Sequence, residues 1–402
     1  MFLRLAQLLF LLLIFSLGFM QPHFSFQSYE IPLTEFIFLI TFVVWLIAIL
    51  TKQTDFKLSR FYLPLTLYFL SQLLSTIFST NPNASFIKLL GAIYLLGLSV
   101  LSFNLFGKFK NAKTPGLTWL AATFIVCLIS LFSLFLFYLD RNNPILGFTL
   151  SHYGSLPSGN YPRVQSSFLN PNMLCNYLNV SLVFIFAAYS YQWINGYLLG
   201  FFIFIFAICT LLTFSPGIGG ILLVLGIWFW FEFNETKRFY TSKLSLWTGI
   251  FCALAFFLIS LVSPANLSSI EPSPRVLTWY STLQTLLVNP IFGRGLGLPV
   301  AHVFYLDASG NNQLLTDAHQ LWLNVAGQQG FLGLFAIIFF TLFFLKEILA
   351  WFKEPTSSKL KIDLGLAFIG AFLYQGLAGS FEDARHLWVL IGFLANYLNE
   401  ER

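Results

Sequence analysis

The sequence predicts an all-α, polytopic membrane protein, and three observations carry that expectation. Its 402 residues are 57% hydrophobic and only 9% charged, whereas soluble domains carry about 25% charged residues. The apolar residues fall in continuous runs, not in the short alternating segments of a transmembrane barrel. About twelve of these runs approach the ~20 residues a helix needs to cross the hydrocarbon core. The 50 Phe and 10 Trp suit lipid-facing and interfacial positions.

The runs can be taken in chain order. Residues 2–20 look like a signal peptide but lack a small-x-small cleavage site, so a retained first helix is expected. Spans at 31–50, 61–79, 84–106 and 115–139 follow. An outer segment, 140–168, holds Arg141, His152 and Arg163, and the sixth span is expected at 169–190. It opens within "YPRVQSSFLNPNMLCNYLNV", where Asn172, Asn176 and Asn179 share one helical face. Lipid gives such a face nothing. It either makes interhelical hydrogen bonds, worth ~0.6–2 kcal/mol each, or lines a polar cavity.

Spans at 194–212, 217–232 and 243–262 lead to the longest connection, 263–321. At roughly 60 residues it exceeds a passive linker in a compact protein. Inside it, "RVLTWYSTLQTLLVN" (275–289) is amphipathic. Val276, Trp279, Tyr280, Leu283, Leu286 and Leu287 line one face; Arg275, Thr278, Thr282, Thr285 and Asn289 line the other. Too short to span, it is expected to lie along the membrane interface, apolar side down. "NPIFGRGLGLP" then breaks the helix. "TDAHQLWLNVAGQQGFLGLF" enters the tenth span (322–345), with Gln320, Asn324 and Gln328 as a second amide stripe; spans at 362–379 and 386–398 close the chain. One domain, 1–402, is expected, with 263–321 as its long outer loop.

With the N-terminus inside, fifteen of the 21 Lys and Arg fall on the cytoplasmic side, the bias that puts both termini there. The other six are Lys88, Arg141, Arg163, Arg275, Arg294 and Arg385. Arginine dominates only this outer set. Its planar fork is favoured where phosphate or carboxylate is gripped, so the split points to anion chemistry outside. Cys127, Cys175, Cys209 and Cys252 lie in apolar runs with no disulfide or zinc spacing.

His319 is the candidate base. Asp317 and Gln320 have the spacing of a capping box, which predicts a helix start there and His319 in its first turn. A helix N-terminus disfavours imidazolium, and a neutral imidazole can remove a hydroxyl proton. Asp317 reads as a cap. Arg163 and Arg275 are candidate anion contacts, against a bland role at lipid headgroups. Arg294 in "GRGLG" fits no phosphate-loop or dinucleotide fingerprint; those glycines suit a tight re-entrant turn. Glu382, Asp383, Arg385 and His386 read as an outer loop with an internal ion pair. His23, His152 and His302 have no metal-binding spacing, and no Asp-x-Asp pair is present.

"PRVLTWYSTLQTLLVNPIFGRGLG" followed by "DAHQLWLNVAGQQGFLGLF" resembles the signature region of the O-antigen ligase and polymerase superfamily, and "RVQSSFLNPNMLCNYL" resembles its earlier Arg…Asn-Pro-Asn stretch. The resemblance implies a metal-independent membrane glycosyltransferase in the bacterial inner membrane, with its active site periplasmic and no cofactor. Its donor would be a polyprenyl-diphosphate-linked glycan; its acceptor would be a lipid A core, another glycan or a protein. It further implies that Arg163 and Arg275 contact the donor diphosphate and that His319 activates the acceptor hydroxyl. Asn172, Asn176, Asn179, Gln320, Asn324 and Arg294 are candidate cavity-lining residues. Two departures stand out: Gln320 where members often carry Asn, and Ser215–Pro216 where many carry Ser-Arg. Ligase, repeat-unit polymerase and protein glycosylation share these parts, and a transporter of a small anion is the alternative from another class. No nucleic-acid partner is expected.

Overall fold

Each run expected to span is helical in the computed structural model, which describes residues 1–21, 23–26, 29–151, 162–234, 239–261, 273–306, 312–354, 357–382 and 384–399. His152, Lys237, Arg238, Asp383, Arg402, the 263–272 stretch and the side chain of His23 lie outside the described residues. The first helices are α1 (Phe2–Ser16), α2 (Leu33–Leu50), α3 (Tyr62–Ile77), α4 (Pro82–Phe106) and α5 (Lys113–Leu139), then a single turn, α6 (Leu146–Thr149). α7 (Pro171–Ser190), α8 (Gly196–Leu212), α9 (Ile218–Asn234) and α10 (Phe239–Leu261) follow. α11 (Pro274–Val288), α12 (Leu321–Lys353), α13 (Lys359–Ala367, continued by a π-helical stretch Phe368–Tyr374) and α14 (Arg385–Asn399) complete the set.

Among the described residues, six helices are long and apolar enough to cross a membrane: α2, α4, α5, α7, α10 and α12. α1, α3, α8 and α9 are apolar but shorter. The strands form three antiparallel hairpins: β1 (His23–Phe26) with β2 (Tyr29–Pro32), β3 (Leu150–Ser151) with β4 (Arg163–Val164), and β5 (Val303–Leu306) with β6 (Asn312–Leu315).

α7 is the hub. It opens as "NPN" predicts: Asn170 accepts from Met173 N at 2.8 Å, and Pro171 follows at the first helical position, where its missing N–H costs nothing. Its most apolar window is 83% buried, against 11% for α10 at the periphery. A helix so enclosed must satisfy its polar groups inside the protein. Accordingly Ser181 accepts from Trp119 Nε1 at 2.9 Å and lies 3.0 Å from Thr123 Oγ1. At the edge, α9 and α10 cross closely: a Cβ on Gly226 would lie 3.0 Å from Gly249 Cα, the small-residue contact that membrane helices favour.

α12 is interrupted. Gly330 has φ +67° and ψ −163° inside it, a conformation open to glycine and strained for other residues. The "GRGLG" turn docks at this break: Arg294 N donates to Gly327 O and Gly295 N to Gln328 O, each at 3.0 Å. Gly293, Gly295 and Gly297 all have positive φ, and a Cβ on Gly293 would lie 2.3 Å from the Gln328 backbone. The expected tight turn is therefore present, seated on a broken helix.

α11 starts one residue earlier than expected. Thr278 and Thr282, on its polar face, are 0% exposed and packed against the protein, whereas Tyr280, Leu283 and Leu287 are exposed. The apolar face thus points away from the bundle, as an interfacial helix requires. Leu286 and the Trp279 indole nitrogen depart from the expected face and are buried.

The ion pair expected within 382–386 involves Asp383, which lies outside the described residues; the described contacts of this stretch reach other helices. Arg385 pairs with Glu35 at the start of α2, Glu382 accepts from Asn324, and His386 is buried. Because α14 packs into the bundle, its first turn is drawn onto partners from other helices. Elsewhere Arg60 pairs with Glu347 at 2.9 Å and Lys359 with Glu232 at 3.2 Å.

Candidate functional site

Arg163 sits on β4, just ahead of α7. Its Nε donates to the carbonyl of Thr213 at 2.9 Å and its Nη2 to Asn172 Oδ1 at 3.1 Å. The first contact holds it against the turn between α8 and α9, which contains Ser215 and Pro216. There Ser215 Oγ accepts from Gly217 N at 3.1 Å, capping the turn before α9. Burial, then the positive charge of Arg275, pulls the Arg163 guanidinium down to about 10. It stays charged at neutral pH.

Arg275 lies in the first turn of α11, which Pro274 opens. Thr278 ties this turn to the stretch before α12, its hydroxyl donating to Arg275 O at 2.7 Å and lying 3.3 Å from Ala318 O. The Nη1 atom of Arg275 is buried and has no hydrogen-bond partner among the described residues. An unpaired buried donor costs about 1–3 kcal/mol, and more when charged. Burial lowers the Arg275 pKa and the carboxylate of Asp317 offsets it. Two guanidiniums that feel each other, with one carboxylate nearby, form a site that binding an anion would relieve.

His319 is placed differently from expectation. α12 begins at Leu321, and Gln320 is its cap, accepting from Leu323 N at 2.8 Å. His319 precedes the cap with φ 47°, in the left-handed region, and a left-handed residue cannot continue a helix. Asp317 is therefore no helix cap. Its carboxylate accepts the His319 N–H and, at 2.7 Å, the Ser380 hydroxyl, a local side-chain bond that competes with helix formation. Such a conformation costs about 1–3 kcal/mol and persists only where its surroundings over-determine it. The imidazole has no hydrogen-bond partner among the described residues. Its pKa is lowered by burial first and also by Arg275, with Asp317 opposing. The shift favours the neutral ring, and its cause is burial rather than a helix dipole.

Arg163, Arg275 and His319 thus come together. Arg275 acts electrostatically on both others, although the three lie on separate stretches of chain. The candidate lining residues mostly do not join them. Among the described residues, Asn172 joins them through Arg163. Asn176 donates to Ala371 O at 2.7 Å and to Gln375, and accepts from His386 Nε2 at 2.6 Å. Asn179 is wedged between glycines: a Cβ on Gly370 would lie 2.6 Å from its Oδ1, and one on Gly220 would lie 3.0 Å from its Nδ2. Gln320 is spent as a cap. Asn324 bridges Glu382 and the Ala318 N–H, and Gln328 accepts from Gly297 N at 2.9 Å. Arg294 turns back on its own loop, with Nη1 3.0 Å from Pro299 O and 2.8 Å from His302 Nε2. An enclosed bundle uses amides as helix glue, as Asn176 shows, whereas both amide atoms of Asn179 are buried with no partner among the described residues.

Ser380 and the carbonyl of Thr213 were not anticipated. A carbonyl has no sequence signature, and a lone serine in a short connection carries none either. Among the described residues, no group of three or more His, Cys, Asp or Glu is placed to hold a metal ion. Comparison of the chain with protein-family models, with curated proteins and with solved structures gives no match.

Proposed function

We propose that this chain is a membrane-embedded glycosyltransferase of the O-antigen ligase and polymerase kind. It would transfer a lipid-linked oligo- or polysaccharide to an acceptor hydroxyl at the periplasmic face of the bacterial inner membrane. The observation that supports the reading is Arg275 acting on both the Arg163 guanidinium and the His319 imidazole, whose pKa is lowered, while Arg275 Nη1 is buried with no hydrogen-bond partner among the described residues. Anion grip and proton acceptance then stand side by side, which is what glycosyl transfer from a diphosphate needs.

In this reading Arg163 and Arg275 hold the donor diphosphate. His319 takes the proton of the acceptor hydroxyl as its oxygen bonds to the anomeric carbon. The carbon–oxygen bond to the diphosphate breaks, and the electron pair leaves with the polyprenyl diphosphate. That leaving group is weakly basic, so the main task is stabilising its charge.

The test is transfer of a glycan from a polyprenyl-diphosphate donor to a lipid A core by membranes carrying the chain. His319→Ala is expected to cut the rate by ~10²–10⁴-fold while the protein inserts at wild-type level. A variant that transfers at the wild-type rate would remove the mechanism. A transporter of a small anion has no need of this base, so retained anion flux without transfer activity would favour that class instead.

A further inference from the structure

Three hydrogen-bonding groups around the start of α11 are buried with no partner among the described residues: Ser273 Oγ, Arg275 Nη1 and Trp279 Nε1. Folded proteins leave few such groups, and each calls for an explanation. Their positions are related. Ser273 is the N-cap residue of α11, yet its hydroxyl makes no cap bond, and it is only 6% exposed. Trp279 follows Arg275 by one helical turn. Residues four apart share one side of a helix, so Arg275 and Trp279 lie on the same side of α11.

The chemistry of the three groups narrows what could satisfy them. Guanidinium and indole N–H groups only donate, and the serine hydroxyl also has a proton to give. The two N–H groups cannot satisfy each other, and a serine oxygen that accepted from one of them would still leave its own proton without an acceptor. A single group rich in acceptor oxygens can satisfy all three, and a helix N-terminus adds a favourable field for negative charge.

We propose that Ser273 and Trp279 complete the cradle begun by Arg275 and donate hydrogen bonds to the phosphoryl oxygens of a polyprenyl diphosphate. The assignment rests on the donor reading above.

The test uses the full chain in detergent and farnesyl diphosphate, a short stand-in for the donor's leaving group, with affinity read by titration calorimetry. Ser273→Ala and Trp279→Phe are each expected to weaken binding about tenfold or more, the usual cost of losing a bond to a charged acceptor. Benzothienylalanine at position 279 keeps the fused ring and removes only the N–H, so it should weaken binding as Phe does while leaving the unfolding midpoint unchanged. Phosphatidylglycerol is titrated in parallel, because a bilayer headgroup carries similar oxygens. If the wild-type chain binds farnesyl diphosphate and all three variants bind it equally well, this assignment is overturned and the donor reading stands. If the wild-type chain does not bind it, the donor reading falls and takes the assignment with it. Variants that lose phosphatidylglycerol but keep farnesyl diphosphate would make this a headgroup site and overturn the proposal.

Discussion

Arg275 and His319 carry the predictions that belong to single residues. A guanidinium offers a planar fork and an ammonium a point charge, so Arg275→Lys should lose nearly as much transfer activity as Arg275→Ala. Full rescue by lysine in the same assay would mean that charge alone matters. In the proposed mechanism His319 works as a base only when neutral, so the transfer rate falls as pH drops through its folded pKa. Burial and Arg275 hold that pKa below the ordinary 6.5, which puts the acid limb of the rate profile below pH 6.5. Asp317 pulls it upward. Asp317→Asn keeps an oxygen for the His319 N–H and the Ser380 hydroxyl but removes the charge, and the limb should move further down. A limb that stays put or rises would show that Asp317 does not act on the ring.

Elements show where sequence pattern sufficed. The "NPN" start of α7, the amphipathic α11 and the glycine turn all follow from local rules, because caps, amphipathic spacing and positive-φ positions are written within a few residues. The start of α12 was misread because two features compete there. Asp317 satisfies a capping pattern, but its carboxylate is also claimed by Ser380, 63 residues on, and no local rule sees that. The amide stripes were ambiguous for the same reason: spacing puts Asn176 on a face, but its partners Gln375 and His386 come from helices far along the chain. The α12 break allows a prediction at this scale. Gly330→Ala places a Cβ 2.3 Å from the Ile291 carbonyl at positive φ, so it should cost well over the ~1–2 kcal/mol of a left-handed residue and lower the unfolding midpoint in detergent. Gly91→Ala, where a Cβ meets nothing within 4 Å, is the control and should leave the midpoint unchanged.

For the molecule as a whole, composition was enough to give a helical membrane protein, since charge depletion and continuous apolar runs leave few alternatives. The number of crossings is harder to read. α1, α3, α8 and α9 fall short of a full hydrocarbon thickness as helices, and length alone does not say which of them tilt, thin the bilayer or stop within it. The orientation expected from the Lys and Arg distribution gives a direct prediction. Reporter fusions at both ends should read cytoplasmic, and a cysteine introduced at exposed Leu314, on β6 near the site, should react with an impermeant thiol reagent from the periplasm. Labelling of that cysteine only after the membrane is opened would invert the topology and move the site to the other compartment.

The break at Gly330 has one more consequence. The stretch from Leu321 to Gln329 becomes a stiff rod of little more than two turns, with His319 just beyond one end and the glycine turn latched to the carbonyls of the other. Whatever grips that latch from outside also aims the imidazole. If His319 is the base proposed above, a compact binder seated on residues 293–297 should lower transfer from a distance while leaving Arg163 and Arg275 unobstructed.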